Sequence, residues 1–212
     1  MAKDYRLIAE DSDIEHVVKN LCGQYSIAPD IIEIKAPYKG VTSLLGALGI
    51  ELKQSRRILG VVIDTDDSLA SRWEQLRHIA LKGGYTFFPS EPNSEGTIIR
   101  SDSDSRPDLG IWLMPNNKLP GMVEHFVEQL IPTGDALWPR AQRVVHEIPE
   151  NERRFNRVIK AQIHTWLAWQ DEPGRPIGQA IGRHDLDANA PHAQQFVDWL
   201  RRLFELEAAS QQ

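Results

Sequence analysis

Apolar and polar positions change their period along the chain in a way that separates strands from helices. Short apolar runs at residues 5–9, 31–34 and 57–63 predict strands, and the third run is apolar almost throughout, as expected for a strand covered on both faces. After each run, apolar residues recur at helical spacing. Strands that alternate with helices are typical of a mostly parallel sheet flanked by helices. The pattern therefore predicts an α/β fold.

The second half of the chain continues this pattern and then becomes helical. Residues 109–114 predict another buried strand, and residues 85–88 and 97–100 predict two short ones. Ser12 or Asp13 is predicted to cap the first helix. Helices are predicted at 138–145, 155–169 and 193–206, with a loop over 171–191. We expect an α/β core over residues 1–132 and a helical C-terminal extension over 133–212 that packs on it within one structural domain.

Composition narrows the class of protein. Hydrophobic residues make up 41% of the 212 residues and charged residues 25%, which is typical of a globular chain. No apolar run approaches the ~20 residues that a membrane span needs, and the N-terminus has no secretory signal pattern. The single cysteine, Cys22, cannot form an internal disulfide. We therefore predict a cytoplasmic protein without a membrane partner.

Net charge limits the partners that the chain can bind. A formal charge of −6 argues against broad electrostatic binding to nucleic acid. A nucleic-acid substrate stays open, because a metal enzyme needs local acid and the bound ion offsets that charge. Two local basic clusters are present, the first at Arg153, Arg154, Arg157 and Lys160, and the second at Lys53, Arg56 and Arg57.

Acidic residues follow the predicted strands at the points where these strands end. Glu10 follows the first strand, Asp64, Asp66 and Asp67 follow the third, and Glu124 comes shortly after the strand at 109–114. The carboxyl ends of parallel strands share one edge of a sheet, where ligand sites form. Carboxylates are the ligands that Mg²⁺ and Mn²⁺ prefer. The sequence predicts a divalent-metal site there, although any one of these acids could instead cap a helix or a turn.

Two segments carry a resemblance to a known family. Residues 7–13, with Glu10 at the strand end, and residues 60–66, with the Asp64-Thr65-Asp66 triplet, resemble the Glu and Asp-x-Asp motifs of the Toprim superfamily. This superfamily includes topoisomerases, primases and overcoming-lysogenization-type nucleases. The resemblance covers roughly residues 5–130, and Asp11 stands where the family usually has glycine. The chain looks most similar to small stand-alone bacterial Toprim-like proteins of uncharacterised function.

The resemblance implies metal-dependent phosphodiester hydrolysis or a related phosphotransfer on nucleic acid. It implies that Glu10 acts as general base or metal ligand, and that Asp64 and Asp66, with Asp67 beside them, ligate Mg²⁺ or Mn²⁺. Glu124 matches the additional acid that nuclease-type members place near a second metal. Lys160, with Arg157 as second choice, is the candidate for neutralising transition-state charge.

Two other functions remain open from the residues alone. The first is a non-catalytic interaction module, whose helical C-terminus binds a protein partner such as an ATPase. The second is a phosphate-acceptor module that resembles a response regulator, with Asp64 as acceptor and Asp11 and Asp13 as the early acids. Histidines and acids at 184–192 form a weaker candidate for a second metal site, because their spacing fits no specific template. The sequence is also compatible with self-association, and it identifies neither substrate nor pathway.

Overall fold

The sheet has five strands, in the order β2-β1-β3-β5-β4. In the computed structural model, which describes residues 5–27, 30–54 and 57–206, four of these strands run parallel, and the edge strand β4 is antiparallel to β5. The predicted mostly parallel α/β fold is therefore confirmed. The strands are β1 (Tyr5–Ala9), β2 (Ile32–Lys35), β3 (Ile58–Asp64), β4 (Thr97–Ile99) and β5 (Asp108–Met114).

The central strand β3 is buried along its whole length. It pairs with β1 on one side, where Ile8 lies opposite Val61, and with β5 on the other, where Asp64 lies opposite Met114. Because these three strands are parallel and in register, their carboxyl ends meet at one edge of the sheet. This edge receives Glu10, Asp64 and the segment after β5.

Helices connect the strands and cover the sheet. A short 3-10 turn spans Glu150–Glu152. The α-helices are α1 (Ser12–Gln24), α2 (Val41–Glu51), α3 (Leu69–Lys82), α4 (Val123–Glu128), α5 (Trp138–Glu147), α6 (Val158–Ala168), α7 (Ile177–Gly182) and α8 (Pro191–Phe204). None of the helices in the described part of the chain is long and apolar enough to cross a membrane.

Each face of the sheet has its own apolar core. On one face, Ile8, Val61 and Ile111 pack with side chains of α2 and α3. The other face carries Val62 and Trp112, which pack with α1 and with helices from the C-terminal third of the chain. Alternate residues of β3 and β5 therefore face different helical layers, which explains why both strands are apolar throughout. The C-terminal helices share this core with the sheet.

Three local predictions differ from the structure. Residues 85–88 form no strand. Their aromatic side chains are fixed by separate contacts instead: the Tyr85 hydroxyl donates to the Pro107 carbonyl, and Phe88 packs on Trp73. The cap of α1 is Asp11 instead of Ser12 or Asp13, since Asp11 has extended backbone and its Oδ1 accepts the Ile14 amide at 2.9 Å. The predicted loop at 171–191 contains the short helix α7.

Candidate functional site

The predicted acids of three strand ends do come together. Glu10 is the first residue after β1, and its amide donates to the Val62 carbonyl, which continues the β1–β3 ladder. Asp64 is the last residue of β3, and Glu124 lies in the first turn of α4 after β5. All three side chains are buried, with relative exposures of 8%, 7% and 2%. Strand register, which no single strand determines, thus brings distant carboxylates to one place.

Glu10 and Asp64 are fixed by backbone amides. Oε2 of Glu10 accepts the Asp64 amide at 3.0 Å, and Oδ1 of Asp64 accepts the Val123 amide at 3.0 Å. Among the described residues, neither carboxylate has a cation within salt-bridge distance, and the second oxygen of each has no hydrogen-bond donor. Each acid is therefore oriented by one oxygen while its other oxygen remains free for a ligand.

Burial and like charge raise the pKa values of these two acids. Burial is the largest cause of the upward shift of the Asp64 pKa, and Glu10, Glu124, Asp11 and Asp66 add to it by repulsion. Burial also raises the pKa of Glu10; the hydrogen bond from the Asp64 amide opposes this shift, and the charge of Asp66 adds to it. Packing several carboxylates together is thus unfavourable for the metal-free charged state.

The turn after β3 determines where Asp66 lies. The amides of Thr65 and Asp66 both donate to the Gly121 carbonyl, at 3.0 and 2.9 Å, and the Gly121 amide donates to Thr65 Oγ1 at 2.7 Å. Asp66 has a positive φ of 51°, a conformation that Asp tolerates better than most residues. The turn is therefore joined to the segment before α4.

Arg72 is a site residue that the sequence analysis missed. Its Nε donates to the Asp64 carbonyl at 2.9 Å, and Nη2 lies 3.0 Å from Oδ2 of Asp66. Its side chain is only 9% exposed. Arg72 lies three residues after Leu69, on the stripe that also carries Trp73 and Leu76. A charged residue on an apolar stripe is a pattern that could have identified it, because buried charges are normally paired.

Lys160 lies beside Glu124. Nζ of Lys160 is 3.0 Å from Oε1 of Glu124 and 3.9 Å from Oδ2 of Asp13. The Glu124 contact is an ion pair that lacks the angle of a good hydrogen bond. Partial burial lowers the Lys160 pKa, but its contacts with Glu124 and the charges of Asp13 and Asp11 outweigh that effect, so the net shift is upward. The structure therefore brings the predicted lysine to the acidic cluster and favours its charged form.

Among the described residues of the two basic clusters, Arg157 and Lys160 of the first reach the acids. Arg157 binds Asp67 at 2.8 Å and Asp66 at 3.4 Å. Asp67 itself is 86% exposed, so it lies at the rim and not among the buried acids. Arg57 precedes β3 and pairs with Glu205, at the end of the strand away from the site. Arg56 lies outside the described residues.

An open groove of about 660 Å³ adjoins the acids. It lies between the turn after β3, the segment before α4, and helices α4, α5 and α6. Its lining is mostly polar and includes both acids of the turn. The residues that line it are Asp66, Asp67, Pro120, Gly121, Met122, His125, Glu128, Gln142, His146, Asn156, Arg157, Val158, Ile159 and Gln162.

The carboxylate oxygens of the site are ligands of the kind that a hard divalent cation binds, but they are not arranged around one common point. Within residues 5–27, 30–54 and 57–206, no three His, Cys, Asp or Glu side chains are grouped closely enough to hold one ion. Asp66 is turned towards Arg72 and Arg157, and Glu124 towards Lys160. The free oxygens of Glu10 and Asp64, which have no cation beside them among the described residues, are nevertheless of the type that Mg²⁺ and Mn²⁺ bind.

Comparison with known proteins adds one match. A family model described as "Protein of unknown function (DUF3226)" matches residues 4–205. No curated protein and no solved structure matches the chain. The match spans both the sheet and the C-terminal helices.

Proposed function

The chain belongs to the DUF3226 family, and we propose that it is a Mg²⁺- or Mn²⁺-dependent enzyme that hydrolyses or transfers phosphodiesters of nucleic acid. One observation carries the proposal. The buried carboxylates of Glu10 and Asp64 lie together without a direct cation among the described residues. Such an arrangement is costly unless a ligand compensates the charge.

Glu10 and Asp64 would hold the ion through their free oxygens, and Asp66 would join them after exchanging its contact with Arg72 or Arg157. When bound, a divalent ion supplies Lewis-acid stabilisation of phosphoryl oxygens and lowers the pKa of a bound water. Glu10 would also act as general base. Glu124 is buried, and its Oε1 lies 3.0 Å from Nζ of Lys160. It would provide the carboxylate for a second ion.

Lys160 supplies positive charge next to the carboxylates. The Lys160 side chain is half exposed, so its ammonium group would contact both Glu124 and a substrate oxygen. A fixed cation beside the position where negative charge develops stabilises the transition state. Arg157, which already spans Asp66 and Asp67, would contact substrate phosphate at the entrance of the groove. Nucleic acid is therefore proposed to bind through local contacts and not through overall charge.

The first test is a cleavage assay with single-stranded and double-stranded DNA and RNA in the presence of Mn²⁺ or Mg²⁺. Asp64→Asn and Glu10→Gln keep the size of the side chain and one hydrogen-bond acceptor, and each is expected to reduce cleavage by at least about a hundredfold, the scale of losing one transition-state contact. Asp104→Asn, in an exposed loop, is the matched control and should cleave normally. Wild-type protein that cleaves no substrate with either ion would contradict the proposal.

A second candidate function is supported by the ion pairs within the cluster. Asp66 is bound to Arg72 and Arg157, and Glu124 to Lys160, so these acids already have internal cations. That pairing favours a non-catalytic module that binds a protein partner such as an ATPase. A complex that forms equally well with wild type and with the Asp64→Asn variant, together with absent cleavage, would favour this function. For either function we propose a cytoplasmic location, which agrees with the buried free thiol of Cys22.

A further inference from the structure

The groove beside the acids has hydrogen-bond donors that the reaction described above does not use. They come from the start of α6, from the interior of the same helix and from α4. Lys160 is not among the lining residues, because it reaches Glu124 elsewhere in the cluster. The groove is therefore a neighbouring surface that shares its edge, at Asp66, Asp67 and Arg157, with the acidic site.

The amino end of α6 opens into this groove. Asn156, Arg157, Val158 and Ile159 line it, and α6 has 11 residues. Arg157 occupies the cap position without a side-chain hydrogen bond to the helix. The first hydrogen bond of the helix runs from the Ala161 amide to the Arg157 carbonyl. The preceding backbone amides, those of Val158, Ile159 and Lys160, therefore have no acceptor among the described residues. Free amides at a helix amino end attract anions.

Gln162 provides an independent indication of a ligand. Its side chain is 95% buried, since only 5% of the residue is exposed, and it lines the groove. In the described part of the chain, its amide group has no hydrogen-bond partner. Its amide atoms are not among the fully buried polar atoms of the described residues, so they open to the groove and are accessible to a ligand there. The position of Gln162 in the second turn of α6 places this amide near the helix amino end.

His125 adds a further donor of defined orientation. Its Nδ1 accepts the Met122 amide at 3.1 Å, so a neutral imidazole in this position carries its proton on Nε2. The ring lines the groove, and it is partly exposed. Three kinds of donor thus face one space: helix amides, the Gln162 amide and the His125 ring. This set suits the oxygens of a phosphate group.

We propose that this groove is a phosphate subsite, which holds a phosphate of the nucleotide next to the one that reacts. The inference rests on the proposed function for the identity of the polymer, but the donors themselves require only a phosphate ester. Arg157 lies between the groove and the acids, and its pairing with Asp66 and Asp67 limits their repulsion of the ligand. Glu128 is the remaining carboxylate of the lining, at the α4 side.

The test measures binding of defined phosphates to the full chain by calorimetry in EDTA. The probes are inorganic phosphate, adenosine 5′-monophosphate and a dinucleotide with one phosphodiester. Gln162→Leu removes the amide and keeps an apolar side chain, and it should weaken binding of the nucleotides about tenfold, the effect of losing one hydrogen bond to a charged group. Gln162→Glu adds a negative charge and should weaken binding further. The matched control is Gln129→Leu, at an exposed position outside the groove, which should bind as wild type does.

The outcomes separate this inference from the proposed enzyme activity. Tighter binding of the dinucleotide identifies a phosphate within a chain as the ligand, and tighter binding of the monophosphate identifies a terminal one. The same Gln162 dependence in the Asp64→Asn variant would support the subsite even if no cleavage is found. Folded Gln162→Leu protein that binds both nucleotides as tightly as wild type would overturn the subsite and leave the cleavage assay unaffected.

Discussion

At the scale of single residues, the contacts of Asp64 explain why its charge is unfavourable without a ligand. One oxygen accepts the Val123 amide, which an asparagine carbonyl oxygen in the same place can also accept. The negative charge of Asp64, by contrast, is repelled by Glu10, Glu124 and Asp66. Burial is the largest cause of the raised pKa of Asp64, and these charges add to it. The hydrogen bond to Val123 is therefore compatible with a neutral side chain of the same shape, whereas the negative charge is favourable only with a cation bound.

We therefore predict that Asp64→Asn stabilises the metal-free protein. The free energy of unfolding in EDTA at neutral pH should rise on the order of 1 kcal/mol, because a buried and repelled charge is removed. The same variant should lose the stabilisation that Mn²⁺ gives to wild type. Denaturant unfolding with and without the ion measures both effects. The exposed Asp104→Asn should change neither, and a destabilised Asp64→Asn would show that the carboxylate has a purely structural role.

At the scale of elements, α7 shows how a helix forms where the sequence pattern is weak. It has six residues, and two of them are glycines at its contact with α1. A Cβ atom on Gly178 would lie 2.4 Å from the backbone carbon of His16, and one on Gly182 would lie 2.8 Å from Oδ1 of Asn20. The helix thus combines a short buried apolar stripe, Ile177, Ala180 and Ile181, with glycines that allow close approach to α1.

Gly178→Ala is expected to destabilise the protein by about 1–3 kcal/mol, because the added methyl group meets backbone that cannot move aside. Gly46→Ala in α2 is the matched control, as nothing lies within 4 Å of the new Cβ. There the substitution should stabilise by up to about 1 kcal/mol through helix propensity. Thermal and denaturant unfolding of both variants provide the comparison. Equal stability of the two variants would mean that α7 does not pack on α1 in solution.

At the scale of the whole molecule, two groups of carboxyls have opposite effects on the pH dependence of stability. Burial raises the pKa values of Glu10, Asp64 and Glu128. Their contribution is fully present below the pKa of the unfolded chain, about 4, and is lost as pH rises through the folded-state pKa. Partners lower the pKa of Glu33 to about 2, and its contribution is lost as pH falls towards that value. Above about pH 5 the buried acids therefore determine how stability changes with pH, because the contribution of Glu33 is then constant.

We predict that in EDTA the melting temperature falls as pH rises from about 5 to 8. Saturating Mn²⁺ should reverse this slope, since the ion binds the deprotonated carboxylates and adds its binding energy to folding. Calorimetry across the pH range, with Ca²⁺ and Zn²⁺ as comparison ions, provides the measurement. A slope in EDTA that Mn²⁺ does not alter would argue that no ion binds at the buried acids.

The sequence by itself determined the strands of the sheet and most of the helices around it, because hydrophobic period and chain breakers are local properties, but it predicted a strand at 85–88 and no helix at α7. It also placed Glu10, Asp64 and Glu124 after strands, and the parallel sheet predicted from that period implied that they would meet. Only the tertiary structure showed that Arg72 and Arg157 hold Asp66, that Lys160 pairs with Glu124, and that Asp67 stays at the rim. These contacts depend on the register and packing of residues far apart in the chain. For the same reason, the unpartnered amide of Gln162 and the groove it lines were visible only once the helices were packed.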